Sequence, residues 1–162
     1  MHTLVQMLEL SRKEFDRNLT GLTDEDARKH IEPMNCISWL IAHVANQHNA
    51  LFVEWPEGLP ADPRYTPYGY GAPTSEPTLA EALELWKDAC QNSLPYLEAV
   101  NDETLQVIDA APFPLRENRG TLMVRCIFHT WCHIGEISSI RQILGHKPPQ
   151  FVDMHGWACP GF

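Results

Sequence analysis

Two histidines at helical spacing give this chain its first hint of chemistry. The segment from Thr121 to Leu144 reads as one uninterrupted helical pattern and carries His129 and His133 four residues apart. Residues at i and i+4 stack on one helix face, about 5–6 Å apart at Cβ, so two imidazoles can converge on one cation at about 2.0–2.1 Å. A catalytic site of this kind takes three protein ligands and keeps a further position for water or substrate, so a third donor must come from another element.

The segment from Asn35 to Trp55 is the second long helical pattern, and it offers His43 and His48. At about 100° per residue, Ile37, Leu40, Ile41, Val44, His48 and Leu51 share one stripe, with His43 and Gln47 on its flank. Periodicity favours His48 as the inward residue, but a bundle helix touches two neighbours and a flank can also face the interior. Both histidines stay open on this ground.

The elements that would carry these residues are separated by clear stops. Leu4, Leu8, Phe15 and Leu19 predict a first helix that ends at Gly21. A short turn follows, with Thr23 as N-cap and Asp26 three residues on, and Asn35 or Ser38 is expected to cap the second helix, which ends near Trp55 and Pro56. Pro56 to Pro77 is dense in Pro, Gly and Tyr and predicts a long crossover loop. Thr78 and Glu81 form a capping box for a third helix, kinked near Pro95. After an irregular connection with room for a short extended piece at Gln106 to Asp109, Thr121 is expected to cap the fourth helix and Gly145 to close it. The tail carries Phe151, Trp157 and Phe162 and is expected to pack on the bundle or on a neighbouring subunit. The expected fold is all-α, a four-helix bundle with a long crossover loop after helix two, in one domain over residues 1–162.

Composition narrows the function classes. A 44% hydrophobic and 20% charged chain of 162 residues is globular, and a net charge of −9 without a Lys/Arg run removes the footprint of a nucleic-acid binder. Without an apolar stretch of membrane-spanning length or a signal-like N-terminus, no membrane partner is expected, and the protein is expected to be soluble and unprocessed. Five cysteines (Cys36, Cys90, Cys126, Cys132 and Cys159) form no CxxC pair, which argues for a reducing cytoplasm and for Cys126 and Cys132 as packing residues.

Two stretches together carry a family resemblance: GLTDEDARKHIEPMNCISWLIAHVANQH and HTWCHIGEISSIRQILGH. They resemble the DinB-like superfamily of four-helix bundles, in which a ligand histidine lies four residues after a helix-two tryptophan and an HxxxH pair lies on the last helix. Transferred position by position, the resemblance implies metal ligation by His43, His129 and His133, and leaves His48 in the core or beside the ligands. Where the family often has Gln, this chain has Glu136, a candidate outer acceptor for an imidazole, general base or fourth ligand, or else a partner for Arg141. Gln47 is a weaker candidate for the rim.

Three neutral imidazoles suit zinc, nickel or ferrous iron. The resemblance implies thiol chemistry, hence a metal-dependent S-transferase or related enzyme acting on a small electrophile with a low-molecular-weight thiol, and a homodimer. The rival expectation is a non-catalytic metal-binding bundle with a stress-associated, sensing or structural role, closed by a fourth side chain such as His48 or Glu136. A third makes the histidines plain core residues beside a protein-binding groove, with Trp157 and Phe162 as contacts.

Overall fold

The computed structural model describes residues 1–109 and 116–147. Helix α1 (Thr3–Leu19) buries Leu8, Phe15 and Leu19 as their spacing predicts, while Val5 is fully buried and Leu4 only half-buried; a one-turn helix α2 (Asp24–Arg28) starts on the Thr23 hydroxyl, which accepts from Asp26 N–H at 3.1 Å. Helix α3 (Ile37–Asn49) begins after Cys36, not at a side-chain cap from Asn35 or Ser38. It widens into a π-helical turn over Ala50–Glu54 and finishes as α4 (Trp55–Glu57).

The crossover loop that follows is irregular apart from a 3₁₀ turn at Thr66–Tyr68. Helix α5 (Leu79–Asn92) opens with the expected Thr78–Glu81 capping box, both halves formed. In place of a kink the helix stops at Asn92, and α6 (Leu94–Glu98) restarts with Pro95 in its first turn, where a missing N–H costs nothing. The Gln106 to Asp109 stretch forms no strand; Thr104–Gln106 is a 3₁₀ turn, and Asp109 pairs with Arg119 at 2.7 Å.

Helix α7 (Arg119–Ile143) starts earlier than Thr121 predicts. Asn118 is its N-cap, and its Oδ1 accepts from both the amide and the hydroxyl of Thr121 at 2.9 Å. The other end closes as read from the sequence: Gly145 takes φ 82°, its amide bonds Gln142 O, and His146 N–H reaches back to Arg141 O at 2.9 Å.

Helices α1, α3 with α4, α5 and α7 form the bundle, α3 lying on α5 and α7, and α1 on α7. Two apolar clusters fill it. One gathers Phe15, Ile37, Leu40, Trp86, Ile134 and Ile137; the other gathers Leu8, Phe52, Leu97, Met123 and Ile127. Between them lies a polar layer, because buried His48 packs edge-on against Trp86 of the first cluster and Phe52 of the second. Cys126 is a buried packing residue as expected, whereas Cys132 is exposed, since six residues along α7 carry it to the outer face. Phe151, Trp157, Cys159 and Phe162 lie outside the described residues. Among the described residues no helix is long and apolar enough to cross a membrane.

Candidate metal centre

Helix α7 is held in register by α1, and that register aims its histidines inward. Asn18 donates from Nδ2 to Ile134 O at 3.0 Å, Ser138 donates to Asn18 Oδ1 at 3.1 Å, and Arg141 binds the carbonyls of Asn18 and Thr20. His129 and His133 then project side by side, their ring centroids 4.4 Å apart. His43 meets them from α3, with centroids 5.0 Å from His129 and 5.1 Å from His133.

The three rings converge through the same atom. Nε2 of His129 lies 3.2 Å from Nε2 of His43 and 3.1 Å from Nε2 of His133. Nitrogens about 2.0–2.1 Å from one ion stand about 2.9 Å apart at a right angle and about 3.3 Å apart at the tetrahedral angle. The two separations to His129 fall between, and all three donor atoms lie within 4.8 Å of one another, so the set is compatible with one shared divalent cation. Among the described residues, these three are the one His/Cys/Asp/Glu group whose donor atoms all lie close enough together to share an ion.

The outer nitrogens explain why the lone pairs face inward. Nδ1 of His43 lies 2.7 Å from the carbonyl of Tyr68, and Nδ1 of His133 lies 2.9 Å from Oε2 of Glu136. A carbonyl and a carboxylate only accept, so each Nδ1 carries the proton and each Nε2 is left as a donor of electrons. Trp39 stacks on His43 at 4.9 Å with 12° between the rings, fixing its plane from the other side. Nδ1 of His129 is buried and meets no partner among the described residues.

Electrostatics favour the neutral, ligating form. Burial pushes His129 down to about 3, helped by the neighbouring His133 and His43. Burial also lowers His43, the Tyr68 carbonyl and the Glu136 carboxylate opposing and His133 reinforcing it.

The alternatives left open by the sequence are thereby distributed. His43 joins the pair on α7, while His48 is fully buried in the polar layer, with Arg12 Nε and Nη2 at 3.3 and 3.2 Å from its Nδ1 and Thr130 Oγ1 at 3.1 Å from its Nε2. Glu136 binds His133, and Arg141 turns to the end of α1 instead. Gln47 sits one turn beyond His43, its Oε1 buried and without a hydrogen-bond partner among the described residues. What sequence reading missed is the Tyr68 carbonyl, since a main-chain acceptor leaves no mark on residue type. A shallow, open groove of about 480 Å³ on the surface of α7 is lined by Thr121, Val124, Arg125, Phe128 and, of the three histidines, His129. A cleft of about 300 Å³ between α1 and α5, lined by Arg12, Asp16, Trp86 and Cys90 among others, includes none of the three histidines.

No curated protein matches the chain. A solved structure described as the crystal structure of the conserved protein of locus from Enterococcus faecalis is similar, with a TM-score of 0.60 at 17% identity over 88% of this chain and 96% of that one. That similarity shows the shared helical fold. The family model of the DinB superfamily matches residues 7–137, and the chain belongs to that superfamily.

Proposed function

We propose that His43, His129 and His133 bind a divalent cation, zinc or nickel before ferrous iron, and that the centre is catalytic: a thiol-dependent S-transferase or related activity on a small electrophile. The observation that carries the reading is the incomplete donor set. Three imidazoles converge, and the two side chains weighed as a fourth ligand are engaged elsewhere, His48 with Arg12 and Thr130 and Glu136 with the far nitrogen of His133. A closed structural site would use a fourth side chain; a catalytic one keeps a place for substrate. A surface groove with His129 in its lining supports access from the α7 side.

When bound, the cation would lower the pKa of a thiol or water enough to supply a nucleophile near neutral pH. The protein's own residues do the rest. Tyr68 O and Glu136 orient two imidazoles, burial keeps His43 and His129 in their ligating form, and Trp39 holds the plane of His43. Glu136 acts through His133, not as the base, because its carboxylate lies at Nδ1 and away from the converging nitrogens.

Elemental analysis of protein purified without an affinity tag tests the first half. The wild type is expected to hold about one transition-metal ion per chain and His129→Ala to lose it; a wild type that takes up no metal would remove the reading. For the second half, screening with small electrophiles and low-molecular-weight thiols should find an activity that His43→Ala abolishes. Full retention of activity in that variant would reject the assignment, and bound metal without any thiol transfer would favour a non-catalytic sensing or structural role.

A further inference from the structure

We propose that the crossover segment from Asp62 to Tyr68 is a working part of the metal centre, and that Asn46 and Tyr65 are positioning residues for the ligand His43. The inference rests on the three-histidine reading above and adds to it the residues that hold the third ligand in place.

His43 stands apart from the other two histidines in how it is aimed. His129 and His133 share one rigid helix, so their relative placement follows from α7 itself. His43 comes from α3, and its ring direction is fixed by the Tyr68 carbonyl 2.7 Å from Nδ1. That carbonyl belongs to a loop without regular structure beyond one 3₁₀ turn, and a loop left free would let the ring swing. A ligand constellation tolerates only about 0.5 Å of slack before affinity suffers. Something must therefore hold the turn.

The structure shows what does. Tyr65 O accepts from Tyr68 N at 2.9 Å, closing the turn, and from Asn46 Nδ2 at 3.1 Å, tying it to α3 one turn beyond His43. The Tyr65 ring is 1% exposed, and its hydroxyl donates to Leu85 O on α5 at 3.1 Å, so the same residue anchors the turn to a second helix. Upstream, buried Glu54 accepts from Asp62 N and from Asn49 Nδ2, each at 2.7 Å, which fixes where the loop begins its return. The loop thus runs as a strap across α3 and α5, and Tyr68 O is its point of delivery. A main-chain acceptor is steered by what holds its peptide: here the turn's own bonds, Tyr68 N–H to Tyr65 O and Gly69 N–H to Thr66 O at 3.3 Å, and the two side chains that moor the turn to the helices, Asn46 and Tyr65.

Coupling of this kind is reciprocal: if the strap strengthens metal binding, metal binding must steady the strap by the same factor. A loop that merely covers the bundle would show neither effect. The test uses the full chain, with zinc affinity measured by competition with a chromophoric chelator, the visible spectrum of the cobalt(II) form, and amide hydrogen exchange with and without zinc. Asn46→Leu, which keeps shape and loses the donor, and Tyr65→Phe, which loses only the hydroxyl, are each expected to weaken zinc binding about tenfold or more. Both are expected to alter the cobalt(II) spectrum while helical circular dichroism stays that of the wild type. In the wild type, zinc is expected to slow exchange at residues 65–69.

Failure of the wild type to bind zinc would remove the metal reading and this inference with it. Zinc binding by the wild type without slower exchange at residues 65–69, or with unchanged affinity in both variants, would overturn this inference alone. If Asn46→Leu does not fold, Tyr65→Phe and the wild-type exchange decide.

Discussion

His48 and Thr130 join α3 to α7 by a hydrogen bond of 3.1 Å, one residue along α7 from His129. The proton on it can be assigned. Arg12 has only N–H groups to offer, so Nδ1 of His48 accepts, Nε2 carries the hydrogen and donates to Thr130 Oγ1, and Thr130 passes its own hydrogen to Cys126 O at 2.9 Å. Arg12 is completed by Glu9 at 3.0 Å and Ser93 at 2.9 Å. This satisfied layer lets two apolar clusters share one bundle.

Removing the Thr130 hydroxyl should therefore cost stability and not metal. Thr130→Val leaves a buried N–H without an acceptor, and urea denaturation is expected to show a loss of about 1–3 kcal/mol. Its metal content should match the wild type. Loss of the ion in this variant would mean that the layer, and not only the three histidines, defines the site.

Acid should weaken the metal-free protein before its carboxylates titrate. His48 is held well below 6.5, first by burial and then by the Arg12 charge and His129. His43 and His129 are shifted the same way. Below about 6.5 the unfolded chain binds protons that the folded one refuses, so stability is fully present above that pH and falls beneath it, by up to about tenfold in the folding equilibrium per pH unit for each such histidine. Urea midpoints taken between about pH 7.5 and 5 should show the decline, with a smaller slope in His48→Gln. A flat profile would contradict the neutral assignment of these rings.

Glu136 should act on affinity in a graded way. Gln at 136 can still accept from His133 Nδ1 but without charge, and Ala cannot accept at all, so zinc affinity should fall in the order wild type, Glu136→Gln, Glu136→Ala, with the last weakened about tenfold or more. Were Glu136 the general base instead, Glu136→Gln would keep its affinity and lose turnover.

Much of this arrangement was legible in residue spacing because it lies within single helices. His129 and His133 need only one helix to meet, and Gly145 needs only its own φ to end that helix. Choosing between His43 and His48 was beyond periodicity for a physical reason: from Ile37 to Ala45 every residue of α3 except His43 is buried, so the helix has no solvent face to orient the pattern. Each histidine faces a different interior neighbour. The family resemblance pointed to His43, where the apolar stripe favoured His48. Thr121 was misplaced as a cap because its hydroxyl does engage the cap, as a donor to Asn118 and not as the acceptor. The Tyr68 carbonyl could not be read at all, since any residue there would present the same oxygen.

The π-helical turn at Ala50–Glu54 makes the length of this helix matter in a way its composition does not reveal. Its wider spacing sets Glu54 five residues from Asn49 and still within 2.7 Å, where it also receives the amide of Asp62. Were all five residues wound instead as an ordinary α-helix, Glu54 would stand about 140° around the axis from Asn49 and everything downstream would turn with it. Glu54 would swing off Asn49, the returning chain would lose its mooring, and a change outside the three-histidine cluster would misdirect the ring of His43.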